Sequence, residues 1–561
     1  MIVPMLHLDL VCVASEKSAA LGRLAELGAV HLDLASAQGA ELSALKGEAA
    51  DAESAVRLIL KTRAGYLKEQ GLDAASLSKR PRGVAEVLAI AADREVLVTE
   101  RDRLARQIKV YGPYGDFDPA LAEKLLAKGI GIKELLPAKL PEMRLKRMQE
   151  KLERVLNRIR IDDAKLAISD EGEIVKTYPA LGERMAFAAA MELMEEKGAV
   201  AAVSGWLPAT RLVELKSAAA ANGWGVLCRE PSDGEIPPTL VEPPKVFRPV
   251  KALFDGLGIA PAYDEADVSV PFMCYFSLFF AMLVGDGAYG AIFLAATLWG
   301  WKKYRERPGS QAVRSWLVML TVFSSATVFW GLLSNTWFGA QIPWCADWPT
   351  VKWLADPSYN NMMLLCFTVG VSHLMLARLW NGVCKINDTT CIAEFGWAGI
   401  LLFMYFVTNS IVGIFRAIPP AMFWVFGVSL AAVFLFTVKP SELKTRGAEL
   451  GMLPLNIMSA LGDIISYVRL FAVGLASVKV AENFNAMATG LLEGAEAFWL
   501  KAVMAVFMVL ILVVGHALNL AMAGLSILVH AVRLNTLEFS NHKGISWAGY
   551  AFKPFKKTKE R

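Results

Sequence analysis

The sequence is poor in charge. Only 20% of its 561 residues are Asp, Glu, Lys or Arg, whereas 55% are hydrophobic and the mean hydropathy is +0.40. That balance excludes an ordinary soluble enzyme and points to a membrane protein. Cysteine is scarce as well: seven residues, an odd number, with no CxxC pair. Neither a disulfide framework nor a zinc site is indicated, and the thiols read as free packing groups. No GxxxxGK[ST] occurs, so the chain carries no Walker phosphate loop, and any ATP is hydrolysed on another subunit. No cofactor or metal is expected. The opening MIVPMLHLDLVC has no basic n-region and no long apolar core, so no cleavable signal is expected and insertion falls to internal spans.

What charge there is lies unevenly. Through Val268 there are 36 basic and 40 acidic residues, and the last 293 residues hold 22 and 14. The first part reads as soluble and slightly acidic, the second as membrane-bound with a net +8. Because the basic excess sits beside apolar spans, it is a topology signal, and a nucleic-acid partner is excluded.

Within the soluble part, an apolar stretch to Val13 leads into a helix opened by Ser15, with Leu21, Leu24 and Leu27 on one face. Gly28 stops it and AVHLDL follows as a strand. A similar unit recurs as AVAAVSGWLP, a helix over about 209–221 ended by Asn222 and Gly223, and the strand WGVLCRE. Polar helical stretches at about 40–70, 84–110 and 140–166 lie between. Their three- and four-residue apolar steps favour antiparallel coiled coil, with a solvated helical bundle as the alternative. The expected fold is therefore a cytoplasmic α+β arm of two small lobes joined by coiled coil (1–268), a polytopic α-helical membrane domain (269–540) and a basic tail (541–561). The Pro-rich run SDGEIPPTLVEPPKVFRPV marks the linker.

Apolar segments fall at about 271–300, 311–338, 358–381, 391–415, 419–438, 451–490 and 497–536. The first is interrupted by GDGAYG and is one long helix or two short ones. Two crossings there put WKKYRER, KPSELKTRG and FKKTKER on the cytoplasmic side. Eight helices with both termini cytoplasmic then satisfy the positive-inside rule. GDGAYG also matches G-x-G-x-x-G, but the dinucleotide fingerprint needs a strand before it and a soluble βαβ setting, so that reading is rejected. The last two spans, at 35–40 residues, are roughly 52–60 Å long against an apolar core of about 30 Å, and so must tilt or protrude.

Ionisable groups inside such spans are functional suspects, because bilayer burial costs several kcal/mol each. They are Asp463, Arg469, Lys479, Glu482 and Arg533. Arg469 lies in SYVRLFAVGLA, where Ala472, Gly474 and Ala476 allow another helix close. An arginine keeps its proton; its role is to pair with an arriving carboxylate and favour that group's charged form. The alternative is a permanent pair with Asp463, or a side chain reaching for the interface. In the last span His516, Asn519, Ala523, Ser526, His530 and Arg533 follow steps of three and four, forming a polar stripe. It lines a hydrated path or forms a packed seam between helices. Leu528, about 200° around from Ser526, is expected on the shielded face.

These segments resemble subunit a/I of the rotary V-type (archaeal/vacuolar-type) ATPases, in the prokaryotic short form. The resemblance runs through PFMCYFSLFFAMLVGDGAYG, FWGLLSNTWFG, ISYVRLFAVGLA, GHALNLAMAGLSILVHAVRLNTLEF and GYAFKPF, with GWLP and EPPKVFRPVKALFDGLGIAPAYDEAD before the membrane part. It implies an eight-helix membrane domain facing a rotating proteolipid ring, with two offset half-channels for H⁺ or Na⁺. It also implies an arm tied to coiled-coil peripheral-stalk subunits of the E/G type, and only indirect ties to the central stalk and catalytic subunits. The host membrane would be the cell membrane of a prokaryote. Arg469 matches the family's essential arginine and Arg533 its second. Two positions depart: Ala523 stands where Glu is frequent, and Lys479 where Gln is. A secondary transporter would instead need internal repeats, and a structural membrane anchor would leave Arg469 unexplained.

The eight-helix topology has a direct check. In Lys302→Cys, a membrane-impermeant thiol reagent should label only from the cytoplasmic side, and labelling from outside would restore seven crossings.

Overall fold

The computed structural model describes residues 2–557 except 35–36, 74–76, 129–135, 138, 233, 307–310, 344–346, 355–358, 440–446 and 494–497. The chain is mostly helical, with one small antiparallel sheet. Its contacts divide it into two compact units, Met5–Ser232 with Lys553–Arg561, and Met1–Pro4 with Asp233–Phe552.

In the first unit, strand β1 (Met5–Val13) alternates so that Leu8, Leu10 and Cys12 point inward, the period-two pattern of a half-buried strand. Helix α1 (Lys17–Leu27) covers it with Ala20, Leu21, Leu24 and Ala25, and ends where Gly28 takes a φ of 57°, a left-handed cap that a Cβ disfavours. Long helices follow: α2 (Ala40–Gln70), α3 (Val84–Tyr111), α4 (Leu145–Ala167) and α5 (Tyr178–Leu193). Next come β2 (Glu195–Lys197), β3 (Val200–Pro208), α6 (Leu212–Asn222) and β4 (Gly225–Arg229). The four strands form one antiparallel sheet in the order β2-β3-β1-β4. The two units expected as separate lobes thus share one sheet, to which the first contributes only β1: AVHLDL forms no strand and meets β3 through a single bridge between His31 and Trp206. The reason is physical: each half has too few strands to bury a face, and pairing Met5 with Pro208 through Val13 with Val200 gives β1 partners on both edges. Gly205 permits the approach of residue 31, whose carbonyl would lie 2.6 Å from any Cβ placed there.

The C-terminal tail completes this lobe. Phe555 is buried in its core with Leu21, Val30 and Trp224; its N–H donates to the Val30 carbonyl at 2.7 Å, and that of Lys557 to Ala25 at 3.0 Å. Beside the sheet, α2, α3 and α4 pack through Ala52, Ala55, Ile59, Val87 and Leu166, and further along through Leu104, Val155 and Ile159.

The second unit begins with α7 (Val250–Leu257) and then stacks apolar helices: α8 (Ser269–Val284), α9 (Gly287–Glu306), α10 (Gln311–Ser334), α11 (Asn360–Cys384), α12 (Cys391–Ile411), α13 (Pro420–Phe436), α14 (Leu453–Ile465), α15 (Val468–Glu493) and α16 (Phe498–Ser526). Among the described residues, five helical stretches are long and apolar enough to cross a membrane. Two of them are the 39-residue Leu453–Leu491 and the 43-residue Lys501–Lys543; α8 and α13 are shorter apolar helices. The first apolar segment is two helices, separated at Gly285–Asp286, where Gly285 has a φ of 69°. Asp286 is buried there, and its carboxylate accepts from the N–H groups of Ala288 and Gly339, both at 2.8 Å. GDGAYG is therefore a helix break pinned by backbone donors. The core is rich in aromatics, among them Phe272, Phe279, Tyr289, Phe367, Tyr467 and Phe539.

After Ser526 the last helix changes winding. Residues Ile527–Ala531 and Leu534–Phe539 are π-helical, with i→i+5 closure, before a short α-turn at Ser540–Lys543.

A buried clasp holds α2 to the segment after α4. Arg63 donates to the carbonyls of Ala167 at 2.8 Å and Ser169 at 2.5 Å and to Glu171 at 2.6 Å, while Lys79 reaches Glu171 at 2.6 Å. Arg63, and then Lys79, hold the Glu171 carboxyl down to about 2 from the ordinary 4.5. A depressed acid contributes stability above its unfolded value that is lost as pH falls through its folded one. Glu171→Gln should therefore lower the thermal stability of the arm at pH 7 by about 2 kcal/mol. The deficit relative to wild type should fade as pH drops from 4.5 to about 2; a deficit that persists at the acid end would point to lost packing.

Candidate functional site

The two arginines of the last spans converge on a residue that periodicity conceals. Arg469, in the first turn of α15, donates through Nε to the Ser466 carbonyl at 2.9 Å and through Nη2 to Glu538 Oε1 at 2.5 Å. Arg533 Nε lies 3.4 Å from the same Oε1. The Glu538 side chain is 4% exposed, Arg469 20% and Arg533 52%. Glu538 is five residues beyond Arg533. In an α-helix that spacing is about 140° off the same face, whereas π-winding brings residues five apart nearly over one another. A reading at 3.6 residues per turn therefore omits Glu538; the available signal was a lone acid closing an apolar span.

Asp463 is not the partner of Arg469. Its Oδ2 lies 3.1 Å from His542 Nε2, and Arg378 Nε donates to His542 Nδ1 at 3.2 Å. Both contacts are met when His542 carries its proton on Nε2 and donates it to the carboxylate. Arg378 also reaches Glu394 at 3.2 Å, which Lys385 meets at 2.6 Å. Asp463, His542 and Arg378 border a cavity of about 680 Å³ whose wall also includes Asn456, Ser459 and Asn541.

The stripe on the last helix divides. Its upper part is a packed polar seam. His516 Nδ1 is 2.7 Å from the Tyr289 hydroxyl and its Nε2 is 3.1 Å from Asn485 Oδ1. Asn519 Nδ2 donates to Tyr289 at 3.1 Å and to the Ser477 carbonyl at 2.9 Å, and Ser477 Oγ donates to Asn519 Oδ1 at 3.2 Å. Lower down, Ser526 and His530 are half-buried and Ala523 buried, and His530 Nδ1 is enclosed with no hydrogen-bond partner among the described residues. The whole stripe except Arg533 faces into the unit, and Leu528, expected to be shielded, is 61% exposed. The correction follows from which face packs: α15 and α8 cover the polar side, so the apolar side of the helix is the open one.

Lys479 donates to Glu482 at 2.7 Å. The pair borders a second cavity of about 240 Å³, with Gly285, Thr336, Gly339, Tyr359 and Gly474 in its wall. A third cavity, about 790 Å³, is lined by Cys274, Leu278, Phe329, Trp330, Trp353 and other mainly apolar residues, and holds none of these ionisable groups. Its chemistry suits hydrocarbon rather than an ion.

Small residues set the spacing of the helices around the site. Gly474 is buried against α8, where a Cβ would lie 2.5 Å from the Met282 carbonyl, and a Cβ on Gly515 would lie within 3 Å of the Phe484 ring. Ala472 and Ala476 are exposed; at steps of three and four from Arg469 they share its side of α15. The small-residue run thus serves two purposes: Gly474 packs inside the chain and the alanines leave an outer face open. Sequence reading also passed over His373, which is fully buried, bonds the Tyr467 hydroxyl at 2.8 Å and stacks on Tyr275 and Phe539.

No family model matches the chain. Among curated proteins it is similar to V-type ATP synthase subunit I of Borreliella burgdorferi, 29% identical over 374 residues that cover 64% of this chain and 60% of that protein. V-type ATP synthase subunit I 1 of Treponema pallidum is 27% identical over 637 aligned positions, covering 99% of this chain and 100% of the relative. A-type ATP synthase subunit I of Methanocaldococcus jannaschii is 25% identical over 431 positions, 70% of this chain and 60% of that protein. The chain thus spans about three fifths of the Borreliella and Methanocaldococcus proteins and the full length of the Treponema one.

The helix spacing at the site is testable with paired glycines. Gly474→Ala forces a Cβ against a backbone carbonyl and should lower thermal stability in detergent by about 1–3 kcal/mol. Gly462→Ala has nothing within 4 Å to meet and should be neutral or stabilising by up to about 1 kcal/mol. Equal effects would mean that the crossing at Gly474 is looser than 2.5 Å implies.

Proposed function

We propose that the chain is a subunit I of the V-type and A-type ATP synthase kind, like the relatives it resembles, and that it forms the static side of an ion path in a membrane, working against a rotating ring of proteolipid subunits. The supporting observation is that Arg469, half-buried beside the exposed Ala472 and Ala476, lies in the sequence between residues that border two separate cavities. Asp463, near the end of α14, borders one cavity, and Lys479, within α15, borders the other. Neither cavity includes Arg469 in its wall. Two separate vestibules with a fixed positive charge between them suit a rotary carrier. An ion enters by one vestibule, neutralises a carboxylate on the ring, travels around with it and is released near Arg469 into the other.

The chemistry of release is electrostatic. A guanidinium stays charged, so a ring carboxylate arriving beside it is driven to its ionised form and gives up its proton or Na⁺. Ala472 and Ala476 flank Arg469 with little bulk, which favours close approach of a partner helix. The exposed apolar side of α16, with Val513, Leu518, Met522, Leu525 and Leu528, offers the ring or lipid a dry surface.

In this reading the membrane unit crosses eight times, its last two helices are long and tilted, and both termini lie in the cytoplasm of a prokaryotic cell. The helix break at Gly285–Asp286 supports two crossings in the first segment. The arm ties to peripheral-stalk coiled coils, and the catalytic and central-stalk subunits act on this chain only through the ring and stalks. Asp463 would serve one vestibule and the Lys479–Glu482 pair would shape the other, while His516 and Asn519 hold the packed seam beside the path and Ser526 and His530 continue its polar side toward Arg533.

In the assembled complex, Arg469→Ala and Arg469→Gln should cut ATP-coupled ion transport by more than about tenfold with assembly retained, and Arg469→Lys should restore it only in part. Arg533→Ala should be milder. Undiminished coupled transport in Arg469→Ala would exclude the mechanism.

A further inference from the structure

We propose that Glu538 is the resident counter-ion of Arg469, an internal carboxylate that holds the guanidinium between visits and competes with each ring carboxylate as it passes. The inference rests on the ion-path reading above and adds a positioning residue to it. Three observations carry it. One oxygen of Glu538 serves both arginines, at 2.5 Å from Arg469 Nη2 and 3.4 Å from Arg533 Nε. Its other oxygen is buried and has no hydrogen-bond partner among the described residues. And the last helix gives up α-winding over Leu534–Phe539, the stretch that contains Glu538, a change that turns its side chain toward Arg469.

The unused oxygen distinguishes this arrangement from a purely structural tie. A carboxylate kept only to join two helices would be saturated, because an unmet buried acceptor costs free energy without adding to the joint. Here the pair is lopsided. The carboxylate is buried while both arginines retain exposure, so the guanidinium of Arg469 can turn outward to a second carboxylate and return. Two positive charges against one negative leave the cluster a net +1, enough to attract an incoming anion without holding it permanently. Without Glu538 the cluster becomes +2, the passing carboxylate is bound more tightly, and its departure slows.

The test measures ATP-coupled transport by the intact complex in vesicles, with assembly checked by co-purification of the other subunits. Glu538→Gln keeps the shape and one acceptor but loses the charge, and should slow transport about tenfold. Glu538→Asp should lie between it and wild type. The decisive variant is the double Arg533→Gln/Glu538→Gln, which returns the cluster to +1 and should recover to within about threefold of wild type. A structural tie would not be rescued by removing a second partner. Wild-type transport in Glu538→Gln, or a slow Glu538→Gln with no recovery in the double variant, overturns the counter-ion role. If Glu538→Gln fails to assemble, the double variant must assemble and turn over, and its failure also overturns the proposal. Arg469→Ala run alongside separates the two levels: transport retained there removes the ion-path reading itself, whereas an inactive Arg469→Ala beside an unaffected Glu538→Gln removes only the counter-ion.

Discussion

An ionisable group can be carried into an apolar helical unit only with a partner, and the arrangement of the last helices follows from meeting that demand. Arg469 is satisfied by Glu538 and its own Ser466 carbonyl, Asp463 by His542, Arg378 by His542 and Glu394. The links to Glu538 and His542 join helices distant in sequence, and that of Arg378 to Glu394 joins two neighbouring ones, so the placement of α11, α12, α14, α15 and the final helix is interdependent. The π-helical stretch belongs to the same requirement. Without it Glu538 would face away from Arg469, and the arginine would stand unpaired in a low-dielectric setting.

Close helix contact is the second requirement, because the polar links reach only when backbones approach. Gly474 against Met282, Gly515 against Phe484, and Gly331 against Gly287 supply that approach. The seam of Tyr289, His516, Asn519, Ser477 and Asn485 then closes at hydrogen-bond distance across α9, α15 and α16. The consequence is a division of labour: inward polar networks hold the helices in register, while Ala472 and Ala476 stay exposed beside the half-buried Arg469.

The arm follows a different logic. Its sheet lobe draws strands from both ends of the first 230 residues and a buried phenylalanine from the C-terminal tail. The acidic clasp at Glu171 ties α2 to the turn after α4. These are long-range closures in a unit whose individual segments bury little by themselves, which is why the intervening helices can be long and highly charged on the outside.

Local pattern carried much of this in advance. Hydropathy marked the apolar segments, the glycines at 28 and 285 are turn points that need a left-handed backbone, and bilayer burial singled out Arg469, Arg533 and Asp463 as residues requiring an explanation. These are properties of neighbouring residues, so the sequence alone could determine them. Pairing was not so determined. The four strands joined into one sheet, Asp463 chose His542, and Glu538 reached Arg469. None of these is periodic, because each depends on which element lies alongside after packing. The polar stripe shows the boundary most clearly. Its steps of three and four were sufficient to group His516 and Asn519, but only the packed neighbours decided that it turns inward and leaves Leu528 exposed. The change to π-winding goes with Glu538 lying beside both arginines, where no fixed helical period would put it.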